Sequence, residues 1–206
     1  MSDVTRSYDA TSDVAVREVA RRRRSQPIGW WGMAMLIATE ATLFGTLIST
    51  YFYLRFQATA WPPPGIDPPS IPLPLSLTGA LVATSVPVLL AVRAARDGRG
   101  RRAAALVMLG VAVQCGYLAT QIVLYLDDLH RFSPRDTAYG SIYFTLLMAH
   151  HLHVLVAILL GSWIALRLAR GLTVYRLNGL RAIAIYVYFV NAAAVFVVLT
   201  QLSPSL

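Results

Sequence analysis

Lysine is absent from this chain of 206 residues, and all 18 of its permanently cationic side chains are arginine. Charge of any kind is scarce. Charged residues make up 14% of the sequence and apolar ones 56%, whereas a soluble domain carries roughly 25% charged side chains. That balance excludes a water-facing globular domain. Cysteine occurs once, at Cys115 inside an apolar run, so an intrachain disulfide and a paired-cysteine metal or redox motif are both excluded. There is no nucleotide-binding loop and no nucleophile elbow, and catalysis by this chain alone is not expected. No internal repeat is visible, which removes support for an inverted-repeat transporter. Residues 1–26 lack the short apolar core and small-residue cleavage site of a signal peptide. They are expected to stay attached as a cytoplasmic tail (1–27), in which either Asp13 caps a short surface helix from Val14 to Ala20 or the segment is disordered.

What the sequence has in abundance is apolar runs long enough to cross a hydrocarbon core of about 30 Å. Five spans are expected, at about 28–54, 73–92, 103–126, 139–166 and 182–202, giving an all-α membrane protein that is one bundle over 28–206. Prolines in Trp61-Pro62-Pro63-Pro64-Gly65-Ile66-Asp67-Pro68-Pro69 forbid helix and favour a stiff extended loop. Pro87 is expected to kink the second span. Asp127-Asp128-Leu129-His130-Arg131 reads as a loop, and so does the stretch holding Arg167, Arg170, Arg176 and Arg181.

The net charge of +8 and pI near 10.1 would suit nucleic acid, but no basic groove with interleaved aromatics lies outside the spans. Nucleic acid is therefore not an expected partner. Arginine instead clusters at residues 21–24, 93–102 and 167–181 and is sparse in the loops between. This alternation predicts the N-terminus inside and the C-terminus outside.

An ionised side chain at the bilayer centre costs at least ~2.5–3.5 kcal/mol, so such groups face the bundle interior and have partners. Glu40 is the only carboxylate within any expected span, and His150, His151 and His153 are the only basic groups well inside one. All four lie near mid-span. At about 100° per residue, His150 and His153 share a face and His151 points well away, so Glu40 is expected to pair with His150 or His153. Gln114, Gln121, Tyr188 and Asn191 complete the candidate buried polar cluster. A plainer reading makes these groups interhelical glue worth about 0.6 kcal/mol per bond. His150, His153 and Glu40 are ligand types that zinc accepts, but no second shell is visible and no metal is assigned. Haem between facing helices needs histidines on two of them, and only one span has any. On the first span, Ala34, Ala38, Ala41 and Gly45 form a small-residue ridge expected to admit a neighbouring helix closely.

The order of several motifs resembles subunit III of the haem-copper terminal oxidases over about residues 28–202. Thr39-Glu40-Ala41-Thr42-Leu43-Phe44 with Tyr51-Phe52 and Arg55 is similar to the family's Ser-Glu segment and its aromatic pair. Trp61-Pro62-Pro63-Pro64-Gly65-Ile66 resembles its first external loop, and Thr84-Ser85 stands at its serine pair. Gln121 and Tyr125 match a glutamine and an aromatic residue of the next helix. Tyr139-Gly140-Ser141-Ile142-Tyr143-Phe144, then His150-His151-Leu152-His153-Val154 and Gly161, parallels its Tyr-Gly-Ser run and His-Gly-x-His-Val signature. Tyr186-Val187-Tyr188-Phe189-Val190-Asn191 takes the place of Tyr-Trp-His-Phe-Val-Asp. Leu124 replaces a glutamate and His151 a glycine, while Val187, Tyr188 and Asn191 replace tryptophan, histidine and aspartate.

The resemblance, with five spans and not seven, implies the short bacterial form of an accessory subunit in the cell (inner) membrane. Such a subunit has no redox centre. It flanks catalytic subunit I, which bears the haems and copper, together with subunit II, and it holds phospholipids and supports proton uptake. Lipid is expected against Arg55, Trp61, His150 and His153. The departures leave open a subunit-III-like protein associated with a nitric oxide reductase. From another class, Glu40 and the histidines could serve as the relay of a small proton-coupled transporter.

Overall fold

A computed structural model describes residues 28–205, which form six helices and, among the described residues, no strand: α1 (Ile28–Gln57), α2 (Pro72–Ala83), α3 (Ser85–Arg96), α4 (Gly100–Arg131), α5 (Ala138–Ala169) and α6 (Val174–Leu202). The Asp13-capped helix and the Arg21–Arg24 cluster lie outside the described residues. With α2 and α3 taken together, five segments are long and apolar enough to cross a membrane. At 1.5 Å per residue the 32-residue α4 and α5 are about 48 Å long. They exceed the hydrocarbon core by several turns.

That excess corrects two expected loops. Residues 127–131 are the last turns of α4 and not a loop, because no helix breaker intervenes before Pro134 and Arg131 pairs with Asp127 one turn back at 2.8 Å. Arg176 and Arg181 likewise belong to α6, which starts early because the Thr173 hydroxyl caps it by accepting from the Arg176 N–H. The 58–71 segment forms no helix, in line with its prolines.

The second span breaks at Thr84, three residues before Pro87. Proline lacks the N–H that would bond the Ala83 carbonyl, and its ring crowds that carbonyl. The chain tightens there: the Thr84 N–H and hydroxyl both turn back to the Leu81 carbonyl, at 3.0 and 2.6 Å.

Helices α2 to α6 enclose the main core, and α1 lies against α5 and α6 only. The face that α1 uses is Phe44, Leu47, Ile48 and Tyr51, spaced as one helical stripe and packed on Leu146, Leu147, Ala193 and Val197. The small-residue ridge is not the packing face. Ala38, Ala41 and Gly45 are exposed, with no atom within 4 Å of where a Gly45 Cβ would lie. Both faces are apolar, and the larger side chains fill the groove between α5 and α6 better than alanine and glycine do. Small residues act elsewhere. A Cβ on Gly161 would lie 2.8 Å from the Val111 side chain, so this glycine lets α4 and α5 approach.

The two ends of the bundle differ in charge. Turns 97–99 and 170–173 meet at one end, where Gly100 lies against Leu168 and Leu172, and nine arginines fall within residues 93–102 and 167–181. The opposite end carries the 58–71 and 132–137 loops, with Asp67, Asp127, Asp128 and Asp136 against Arg55, Arg131 and Arg135. At that end Tyr51, Trp61, Phe132, Tyr139, Tyr143 and Phe144 form a continuous aromatic cluster.

Candidate functional site

Helix α5 packs against α1, α4 and α6 and presents His150 and His153 on successive turns toward α1. The Nε2 of His153 lies 2.9 Å from a Glu40 carboxylate oxygen, and its Nδ1 lies 2.7 Å from the Ala149 carbonyl. A carbonyl can only accept, so Nδ1 carries a hydrogen. One further proton then sits between Nε2 and the carboxylate. Placed on nitrogen it makes an ion pair, placed on oxygen a neutral pair, and in both arrangements the net charge is zero. That suits a site within hydrocarbon, where an uncompensated charge is costly. Phe44, one turn beyond Glu40 on α1, sets its ring edge-on between the two histidines, with centroids 5.1 Å from His153 and 6.4 Å from His150. The Tyr186 hydroxyl of α6 donates to the His153 carbonyl at 3.4 Å.

The other polar groups do not join this pair in one network. Asn191 is buried and donates to Thr84 at 3.1 Å and to Ser85 at 2.8 Å, holding α6 to the break between α2 and α3. Gln121 donates to the Tyr117 hydroxyl one turn away. Gln114 is buried beside a small void lined by Val88, Ala157 and Val187. Tyr188 is half-buried at the edge of the main core. His151 does turn away from Glu40, and it is buried on the opposite side of α5 against Tyr117 and Tyr125 of α4.

His150 is only 2% exposed, and neither of its ring nitrogens has a hydrogen-bond partner. Leaving one buried polar group unpaired costs about 1–3 kcal/mol, so this is the least satisfied side chain near the pair. Among the described residues no group of three or more histidine, cysteine or carboxylate side chains could hold a metal.

Of the residues expected to meet lipid, Arg55 is half-buried at the end of α1 and His153 is 12% exposed beside Glu40. His150 is enclosed within the bundle. Trp61 turns inward, packed edge-on against Tyr51 and Tyr139. At the other end a cleft of about 360 Å³ opens between the start of α1, the end of α5 and the start of α6. Trp30, Trp163, Tyr175, Arg167, Arg176 and Arg181 line it. The Arg167 guanidinium sits 4.8 Å above the Trp163 ring, and the Arg181 Nε is buried without a partner. In the sequence these arginines point to topology, and nothing local ties them to one cleft.

The Tyr-Gly-Ser run is a loop-to-helix junction. Thr137 caps α5 by accepting from the Gly140 N–H at 3.0 Å, and the Ser141 hydroxyl donates to the Pro134 carbonyl at 2.5 Å. A Cβ on residue 140 would meet the Ser133 carbonyl oxygen at 2.5 Å, which reserves the position for glycine.

Comparison with known proteins agrees with this arrangement. The family model "Cytochrome c oxidase subunit III" matches residues 23–202. Among curated relatives, "Cytochrome c oxidase subunit 3" of Lumbricus terrestris is 30% identical over 68% of this chain and 54% of its own. The proteins of the same name from Coturnix japonica and Gallus gallus are each 28% identical over 83% of this chain and 67% of theirs. The chain thus spans between about half and two thirds of the length of these relatives. A family match across nearly all of the described helices, reaching both Glu40 on α1 and Asn191 on α6, places this multi-pass membrane protein in the cytochrome c oxidase subunit III family.

Proposed function

We propose that the chain is the accessory subunit III of a proton-translocating haem-copper terminal oxidase that reduces O2 to water. It has no redox centre and acts by supporting its neighbours: subunit I, which carries the haems and copper, and subunit II. The observation that carries this reading is the family match from residue 23 to residue 202. The Glu40–His153 pair supports it, since it joins α1 to α5 at the two positions where the sequence most resembles the family's Ser-Glu and His-Gly-x-His-Val segments. Relatives named for cytochrome c oxidase favour this over association with a nitric oxide reductase. Among the described residues the His150 side chain makes no hydrogen bond to the Glu40–His153 pair or to any other group, so Glu40 and the histidines do not form one connected relay, which weakens a transporter.

The membrane proposed is the bacterial inner membrane, with the arginine-rich end cytoplasmic. Its anionic phospholipids would place a headgroup phosphate in the Trp30–Trp163–Arg181 cleft, where the partnerless Arg181 Nε is available to donate. Each arginine near an anionic surface contributes about 1 kcal/mol.

The test is oxygen uptake by membranes from cells with and without the chain. If it supports proton uptake and catalytic lifetime, oxidase turnover without it starts lower and decays faster, and re-expression of the chain restores both. Unchanged turnover and unchanged decay would contradict the proposal.

A further inference from the structure

A cavity of about 670 Å³ enters the bundle between the 58–71 loop, the end of α4 and the end of α6 and continues to His150. His150 lies 12 residues into α5, about 18 Å below the helix start at 1.5 Å per residue. The cavity is therefore a deep vestibule that reaches mid-membrane.

Its wall is not built like a lipid groove. Asp128 accepts a hydrogen bond from Tyr143 at 2.8 Å near the mouth, Gln121 and Tyr117 pair further down, and two more polar side chains line the wall, Gln201 at the end of α6 and so near the mouth, and His150 at the inner end. The last two are 8% and 2% exposed, and the Gln201 amide nitrogen and both His150 ring nitrogens lack partners within the protein. Buried polar groups in folded proteins are nearly always hydrogen-bonded, and where protein offers no partner ordered water does. An acyl chain could not serve these atoms. The neutral imidazole has one nitrogen that donates and one that accepts, so it needs a ligand able to do both, as water is. At ~30 Å³ per molecule, the vestibule has room for on the order of 20 waters.

We propose that this vestibule is a water-filled half-channel. It opens at the end that carries the 58–71 and 132–137 loops, holds a chain of ordered water along α4 and α6, and gives His150 contact with that aqueous phase. The rings of Phe44 and His150 close it inward, so the Glu40–His153 pair stands one helical turn beyond its end without bonding to it. The proposal rests on the packing of the bundle and not on which enzyme the subunit joins.

The test is thiol accessibility in native membranes, with the whole complex assembled. In a Cys115→Ala background, single cysteines are placed at the mouth (Ser70→Cys), at two wall positions deep in the vestibule (Leu147→Cys and Ala194→Cys), and on the outer surface of α6 (Ala192→Cys). The probe is the charged, membrane-impermeant 2-(trimethylammonium)ethyl methanethiosulfonate, applied to each membrane side separately. It reacts with thiolate, which forms in water and not in hydrocarbon. A wet vestibule predicts that residues 70, 147 and 194 react from one and the same side. At least one of the two wall positions must react about tenfold or more faster than residue 192. The idea is overturned if both wall cysteines resist the charged probe while residue 70 reacts and lipid-soluble N-ethylmaleimide still modifies them, for the vestibule is then filled by lipid or a neighbouring subunit. Equal labelling of residues 192 and 194 overturns it too, since reactivity would then not report the vestibule.

Discussion

His153 and Glu40 share one proton across 2.9 Å, on helices that are 113 residues apart in sequence at this point. Because the Ala149 carbonyl holds the other ring nitrogen as a donor, the pair works as a neutral clasp whichever partner carries the shared proton. Glutamine can take the place of the carboxylate in that clasp by donating to Nε2.

Glu40→Gln therefore preserves assembly and thermal stability of the complex, while Glu40→Ala leaves the His153 Nε2 unpaired and costs about 1–3 kcal/mol. Retention of the subunit through purification and its melting in detergent measure the difference. A fall in turnover of Glu40→Gln with normal assembly would assign the carboxylate a role beyond the clasp.

Asn191 holds α6 to the break between α2 and α3. Asn191→Leu loses both donated bonds and lowers stability by about 1–2 kcal/mol, on the scale of interhelical bonds in membranes. Asn191→Asp is milder. Within the span the new carboxyl group stays neutral, and its O–H keeps one donor for the Ser85 hydroxyl, while the bond to Thr84 is lost because the Thr84 hydroxyl is already committed to the Leu81 carbonyl. Comparing the melting of the two variants checks the order.

Gly140→Ala brings a methyl against the Ser133 carbonyl, so the junction between the 132–137 loop and α5 must open. The expected loss is on the order of 1–3 kcal/mol, read as faster proteolysis in that loop. Gly161→Ala is expected to cost less, because it meets only the Val111 side chain.

Arg181→Gln should lower the anionic phospholipid retained by the purified complex by roughly fivefold in affinity, for about 1 kcal/mol lost. Arg170→Gln, whose side chain is exposed outside the cleft, should leave it unchanged. Quantitative lipid mass spectrometry of both variants decides this.

Much of the fold was legible because membrane spans are written in length and polarity, and few residues contradict them. The Glu40–His153 contact was partly legible: depth and helical phase narrow the partner to His150 or His153, and only packing selects between them. The face by which α1 packs was not. Apolar residues surround that helix, and without a contrast between core and solvent the Ala34–Gly45 ridge and the Phe44–Tyr51 stripe look equally fit for contact. The bond from Asn191 to Thr84 and Ser85 joins groups more than 100 residues apart, and no local pattern encodes it. The vestibule was equally hidden, since a cavity is set by where side chains fail to meet. The lengths of α4 and α6 were missed because charge was read as loop, when arginine and aspartate continue a helix readily once it has left the hydrocarbon.

The most direct measurement of the central claim is affinity purification of the tagged chain from its native membranes in mild detergent, with a reduced-minus-oxidised visible spectrum and mass spectrometry of what accompanies it. An oxidase subunit I with haem a or haem o bands is the predicted result. Haem b alone with a nitric oxide reductase subunit, or a colourless chain without partners, would contradict it.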